Sequence, residues 1–319
     1  MSAAEAIELV VPPDSSGARL DRFVASATGI SRSELQRWIE SGRVTVEGAA
    51  RGASTRLHHG QRIVVRPAPA ARTEAKPDPE VGFDVLHVDG DVVVIGKPAG
   101  LVVHPSLGHA TGTLVNGLLA LGLFRSEDLL DPIEPQSHAR PGIVHRLDKG
   151  TSGVMVVART PEAREALKAQ FQAHSIDREY EAIVVGAASG RTIATLHARH
   201  PKYRLRFTGR TLRGKPAVTH VKLVAPLRGA THVACTLETG RTHQIRMHLS
   251  ESGTPILGDP LYGGSVRDAA VRAVGERLGH QALHARLLGF VHPRTGARLR
   301  FEAALPDDFL AALADLEKS

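Results

Sequence analysis

The chain has 319 residues, 40 Lys and Arg against 33 Asp and Glu, a formal net charge of +7 and 42% apolar residues. That excludes wholesale disorder and leaves length for two domains of roughly 100–200 residues. A single cysteine, Cys235, excludes a disulfide framework or a cysteine-held metal; no run of about 18 apolar residues offers a membrane span, and Met1–Val11 lacks the start of a signal peptide, so a cytoplasmic protein is expected.

An excess of cations favours a polyanionic partner, because each neutralised phosphate releases counterions. The 32 Arg against 8 Lys suit phosphate forks, and suit an Arg-rich coding bias equally well. Residues 17–66 form the first expected domain. Leu20, Phe23, Val24 and Ala27 recur at helical spacing. Ser31 and Glu34 fit a capping box opening a second helix, whose apolar face is Leu35, Trp38 and Ile39. Arg32, Arg37 and Arg43 lie in or beside it, suiting phosphate binding, although a solvated helix face explains the charge as well. Gly42 ends that helix, and 43–47 and 62–66 read as strands.

Residues 67–82, with Pro67, Pro69, Pro77 and Pro79, read as an extended, semi-rigid linker. Residues 83–319 form the second expected domain. Strands are expected at 92–95, 153–157 and 180–185, and helices at 114–121, 162–173 and 308–316. The alternation is irregular and rich in glycine turns. It predicts an α+β fold on a mixed or antiparallel sheet rather than a doubly wound parallel one.

Common enzyme signatures are missing. There is no phosphate-cradling G-x-x-x-x-G-K-[ST], no G-x-G-x-x-G after a strand, no H-E-x-x-H and no G-x-S-x-G. His243 and His248 lie five apart, which is not a one-face helical ligand pair, so no metal is expected. The run Pro141-Gly142-Ile143-Val144-His145-Arg146-Leu147-Asp148-Lys149-Gly150-Thr151-Ser152-Gly153 stands out. It sets one carboxylate among three basic residues and three glycines, directly before a strand. A carboxylate beside Arg favours its charged form and can serve as nucleophile or base. Alone, such a run is an ordinary salt-bridged turn.

The run does not stand alone. With its H-R-L-D and T-S-G it resembles the signature of the RluA-type pseudouridine synthases. Lys97-Pro98-Ala99-Gly100-Leu101-Val102-Val103-His104-Pro105, Gly112-Thr113-Leu114-Val115-Asn116, Arg178-Glu179-Tyr180, Thr239-Gly240-Arg241-Thr242-His243-Gln244-Ile245-Arg246 and Gly258-Asp259-Pro260-Leu261-Tyr262-Gly263 resemble further blocks of that family, in its order. Residues 17–66 resemble the alpha-L RNA-binding domain of ribosomal small-subunit protein four, with Arg19-Leu20-Asp21, Ser31-Arg32-Ser33 and Gly42-x-Val44-x-Val46 as anchors. The order of the blocks is most similar to the RluD-like branch, which acts on large-subunit ribosomal RNA. Gly96 and Gly90 depart from the family pattern, at positions with no proposed role in catalysis.

The resemblance implies an isomerase that converts uridine in RNA to pseudouridine without metal, nucleotide or redox cofactor. Asp148 is then the catalytic residue. Arg246 pairs with it, with Arg241 as second candidate, and Tyr180 lies against the uracil. Arg146 braces the stack vacated by an extruded base. His145, Thr151, Arg241 and His243 complete the substrate contacts, and Arg19, Arg32, Arg37 and Arg43 bind RNA. Transfer RNA is the alternative substrate, a non-catalytic ribosome assembly factor the alternative function, and a monomer the default state. A glycosidase would need two opposed carboxylates, and the sequence offers one strong Asp candidate.

Overall fold

The computed structural model describes residues 6–30, 32–67, 75–105, 109–123 and 141–317. The chain forms two compact units, residues 1–72 and 73–319. The first contains β1 (Ile7–Val10), α1 (Leu20–Thr28), α2 (Arg32–Glu40), β2 (Val44–Val46), β3 (Ala49–Ala50) and β4 (Arg62–Val65). Its strands pair antiparallel in the order β1-β4-β2-β3. Leu20 and Val24 of α1 and Leu35 and Ile39 of α2 pack on Val44, Val46, Ile63 and Val65 of the sheet. Helix α1 ends at Gly29, which takes the left-handed conformation that glycine adopts without a Cβ penalty. β1 lies before the expected start at Gly17. It is a four-residue alternation too short to read as a strand until β4 pairs with it. The capping residue Ser31 lies outside the described residues, as does the side chain of Arg32.

The expected linker, 67–82, is not free along its whole length. Ala75 is buried, the Lys76 carbonyl accepts from Asn116 Nδ2 at 2.7 Å, and the Asp78 amide donates to the Asn116 carbonyl at 3.0 Å. An extended chain with unpaired backbone groups takes such partners wherever a neighbour offers them.

The second unit runs β5 (Asp84–Val88), β6 (Val92–Lys97), α3 (Leu114–Ala120), β7 (Ser152–Ala158), α4 (Pro161–Gln172), β8 (Asp177–Val185), β9 (Arg191–Arg199), β10 (Phe207–Thr208), β11 (Lys215–Leu227), β12 (Ala230–Leu237), α5 (Gln244–Glu251), α6 (Ala269–Leu278), β13 (Leu283–Val291), β14 (Arg298–Glu302) and α7 (Asp307–Glu317). The described strands make one ten-stranded sheet, β10-β9-β11-β12-β8-β13-β7-β6-β5, with β14 on β13. Its one parallel pair is β13 with β7, so the sheet is mixed and the fold α+β. No described helix is long and apolar enough to cross a membrane.

The central strands are apolar throughout because both faces are covered. Val93, Ile95, Met155 and Val157 join Leu114 and Leu118 of α3, while Val92, Val94, Val154 and Val156 join Ala163 and Leu167 of α4 and Phe290 of β13. A third cluster packs β8 and β12 against α5, α6 and α7. Each fully buried aliphatic side chain contributes about 1.5–3 kcal/mol. Gly153 has φ +118°, and a Cβ there would lie 2.1 Å from the Ala285 carbonyl oxygen. Only glycine lets β7 approach β13 this closely, next to the polar run that precedes β7.

Candidate active site

Residues 145–148 alternate in and out ahead of β7. Leu147 enters the core, Arg146 is exposed, and Asp148 keeps 18% of its side chain exposed. The turn after Asp148 closes through the Thr151 amide on the Asp148 carbonyl at 3.0 Å. Gln281 Nε2 donates to Thr151 Oγ1 at 3.0 Å, and Ser152 Oγ meets His284 Nδ1 at 2.8 Å. From the other side Lys97, 1% exposed, donates through Nζ to the carbonyls of Pro98 (2.8 Å), Leu101 (2.8 Å) and Lys149 (3.2 Å). Its three donors match three acceptors, so one buried ammonium ties two loops together. Burial lowers the Lys97 pKa to about 7, against the raising effect of Asp148.

Helix α5 supplies the partner. Gln244 locks the loop before it. Its Oε1 accepts from Thr239 Oγ1 (2.7 Å) and the Arg241 amide (3.0 Å), and its Nε2 donates to the Val218 carbonyl at 3.0 Å. Two residues further along the helix, Arg246 Nη1 donates to Asp148 Oδ2 at 2.8 Å. The rest of that guanidinium is committed: Nε and Nη2 donate to the two oxygens of Asp259 at 2.7 and 2.9 Å. The Asp259 side chain has no exposure, and its Oδ1 also accepts from the amides of Leu261 (2.8 Å) and Tyr262 (2.9 Å). Burial works against the Arg246 charge, but Asp259 and then Asp148 outweigh it and raise its pKa. Burial likewise disfavours the Asp259 carboxylate, and Arg246 with the two amides outweighs that and lowers its pKa.

His243 begins α5 with φ +58°. Burial lowers its pKa, with Asp148 opposing, so the ring is neutral at neutral pH. Tyr262 Oη accepts from the Phe207 amide at 2.8 Å and lies within hydrogen-bond reach of His243 Nδ1 at 3.2 Å. His243 Nε2 faces Asp148 Oδ1 at 3.8 Å. That separation is too long for a direct hydrogen bond and suits one bridging atom.

Two cavities meet at Arg146, Asp148, His243 and Arg246. One of about 670 Å³ holds Tyr180, Arg178 and Arg241; the other, of about 1610 Å³, runs past Lys97 and Leu205. Burial raises the Tyr180 phenol, Arg178 pulls the other way, and Asp148 adds to the rise. Tyr180 is therefore a neutral phenol in the working pH range.

The expected residues separate by position. Asp148, Arg246 and His243 converge, Tyr180 and Arg241 line the smaller cavity, and exposed Arg146 lines both. Arg241 donates through Nε to the Pro216 carbonyl at 3.2 Å rather than to Asp148. His145 and Thr151, expected to contact substrate, also line the smaller cavity, and each has a partner within the fold. His145 Nε2 accepts from the Val156 amide at 3.1 Å, its ring stacks on Phe171 at 4.5 Å, and burial with help from Arg178 lowers its pKa to about 3. Thr151 is 2% exposed and bonded to Gln281. In the first unit Arg19 is forked onto Asp21 at 3.0 and 3.1 Å, Arg37 is exposed and Arg43 half-buried. The roles of Asp259, Tyr262 and Lys97 were not read from the sequence, although each stands in a block quoted above. The signal was a buried acid-arginine pairing, which spacing alone does not reveal.

A second polar cluster, Asp89, Asp91 and His292, has ligand atoms within 4.8 Å of one another. Its carboxylates already hold cations and amides: Asp89 accepts from the Asp91 and Val92 amides and contacts His87 and His292, and Asp91 accepts from Arg294 Nη2 at 2.6 Å. This network ties the β5–β6 turn to the β13–β14 turn.

Residues 91–251 match the family described as RNA pseudouridylate synthase, and residues 18–63 match the S4 domain. The chain is 42% identical over 316 residues to a protein of Pseudomonas aeruginosa named ribosomal large subunit pseudouridine synthase D, covering 97% of this chain and 95% of that one. It is 39% identical over 316 residues to a Bacillus subtilis protein named uncharacterized RNA pseudouridine synthase YlyB, covering 98% and 99%. Among solved structures it resembles human RNA pseudouridylate synthase domain containing 4, with a TM-score of 0.55 and 25% identity over 73% of this chain and 92% of that one.

Proposed function

We propose that this chain, which belongs to the RNA pseudouridylate synthase family and is an RNA pseudouridine synthase, isomerises uridines of large-subunit ribosomal RNA with Asp148 as its catalytic carboxylate. The observation that carries the site is the 2.8 Å contact of Arg246 with Asp148 at the mouth of a cavity that also holds Tyr180. The substrate class follows the name of the Pseudomonas aeruginosa relative.

The reaction is redox-neutral and needs no co-reactant. The bond from uracil N1 to the sugar C1′ breaks, the ring turns, C5 bonds to C1′, and the proton lost from C5 is balanced by one gained at N1. Arg246 holds Oδ2 of Asp148 and leaves Oδ1 free of a direct hydrogen bond, turned towards His243. An oxygen so held can attack C1′ or take a sugar proton, and either route releases the base. Tyr180, as a neutral phenol, offers the uracil a flat face and a hydrogen-bond donor rather than a phenolate base. A stacked base cannot reach this cavity, so the uridine must be extruded at a cost of a few kcal/mol, and exposed Arg146 at the junction of the two cavities is placed to brace the gap.

Asp148→Asn keeps the size of the side chain and a bond to Arg246 while removing the charge. It is expected to abolish pseudouridine formation and leave RNA binding and folding intact. Mass spectrometry of ribosomal RNA from a deletion strain carrying this variant is the test, and full modification by the variant would sink the assignment. Wild-type enzyme that modifies transfer RNA and leaves ribosomal RNA unchanged would overturn the substrate alone.

A further inference from the structure

The positive charge of this chain is concentrated in one stretch. Residues 182–237 hold ten Lys and Arg and no Asp or Glu, so with +7 overall the remainder is net negative by three. The first unit, residues 1–72, sets ten Arg against seven carboxylates, for only +3. Seven of the ten cations fall between Arg199 and Lys215, where the chain leaves β9, passes through β10 and enters β11 at one end of the sheet. Six of those seven are exposed, and none pairs with a carboxylate among the described residues.

Such an array repels itself and is stable only while solvated or while covered by an anion. Its exposed apolar groups narrow the anion's identity. Tyr203 is 50% exposed, with Arg206 Cζ 5.3 Å and Lys202 Nζ 5.8 Å from its ring centre, and Leu205 and Leu212 are 75% and 96% exposed. Aromatic and aliphatic groups interleaved with cations match a nucleic acid strand, whose phosphates alternate with stackable bases. The arm also abuts the catalytic cavity. Leu205 lines the larger cavity, the Phe207 ring meets His243 edge-on at 5.7 Å, and His197 Nε2 lies 2.9 Å from the Thr242 carbonyl.

We propose that the arm of residues 199–215 is the main electrostatic grip of this enzyme on RNA, binding the phosphates of the strand that flanks the reacting uridine and stacking a base on Tyr203. This deepens the reading of the chain as an RNA pseudouridine synthase and rests on it only for the identity of RNA as substrate. It shifts the bulk of phosphate binding from the first unit to the catalytic one.

The test uses the full chain and a fluorescein-labelled stem–loop RNA with uridines in the loop, with Kd measured by anisotropy over a range of salt. Each lost phosphate contact lowers the slope of log K against log salt by about 0.7–0.9. The variant combining Lys202→Gln, Arg204→Gln, Arg213→Gln and Lys215→Gln should therefore lower the slope by about three and weaken binding at least about tenfold at physiological salt. Lys222→Gln with Arg228→Gln, in the same carboxylate-free stretch but outside the arm, should lower it far less. Tyr203→Ala should weaken binding about tenfold with the slope retained. Should the quadruple variant fold poorly by circular dichroism, Arg213→Gln with Lys215→Gln is read on the same slope, with a fall of more than about one expected. A fall below about two in a folded quadruple variant, below about one in the double, or an equal fall in the control pair, overturns the proposal. Pseudouridine formation by the wild-type chain is measured in parallel. Its failure would refute the reaction and leave the slopes to decide the arm.

Discussion

At Asp259 a carboxylate without solvent exposure holds two of the three nitrogens of Arg246 and leaves the third to Asp148. A guanidinium pinned on one side by a bidentate pair has one direction left for its remaining donor, so Asp259 positions Asp148 without facing substrate. Asp259→Asn replaces one acceptor oxygen by a donor that Arg246 cannot use. It leaves a buried cation under-compensated, at a cost of about 3–5 kcal/mol in stability. A carboxylate displaced by about an ångström loses rate on the order of 10²-fold. The expected outcome is a fall in kcat of that size with KM for RNA little changed, together with a lowered Tm; an unchanged kcat would remove Asp259 from the machinery. Residue identity at this site was legible as a set of blocks. Which arginine meets Asp148 was not, because Arg241 and Arg246 share one loop-helix segment. The start of α5, fixed by Gln244, sends Arg241 to the Pro216 carbonyl and Arg246 inward.

Elements carry two histidines that the fold holds neutral. His145 accepts from the β7 backbone at Val156, and His248, 1% exposed on α5, is bonded to Thr195 of β9 and Thr219 of β11 at 2.9 and 2.8 Å. Burial lowers their pKa values from 6.5 to about 3 and about 4. The unfolded chain binds a proton at each as pH falls below 6.5, while the folded chain does so only near those lower values. Their contribution to stability is therefore fully present above 6.5 and is lost as pH falls towards 4 and 3. Urea unfolding at pH 7 and pH 5 should differ by up to about 2 kcal/mol for each histidine, and His248→Gln should flatten the difference. Equal unfolding free energies at the two pH values would contradict this account. Strands and helices themselves were readable from apolar periodicity. The ends of those that were read move by one to three residues, while β1, β3, β5, β9 to β14, α5 and α6 escape notice; a four-residue edge strand such as β1 has no pattern apart from its partner.

On the scale of the whole molecule, the units 1–72 and 73–319 have separate hydrophobic cores. A fragment of residues 73–319 is expected to fold with a cooperative melt and to form pseudouridine in naked RNA at near full kcat, with KM raised by loss of the first unit. A fragment that precipitates or melts without cooperativity would show that the cores depend on each other. By itself the sequence determined the family, the α+β class and about half of the elements, and singled out Asp148 as the candidate, because apolar periodicity and ordered polar blocks are local properties of the chain. Only the tertiary structure decided which partners His145 and Thr151 have within the fold, that Asp259 stands behind Arg246, and that the basic arm lies beside the cavity. These facts depend on residues 13 to 132 positions apart meeting in a mixed sheet. A one-dimensional pattern cannot specify which buried charges share a pocket, since that depends on the direction in which each strand and helix delivers its side chains. For Asp148, the run around it named the residue, and the packing of α5 against that run set its geometry.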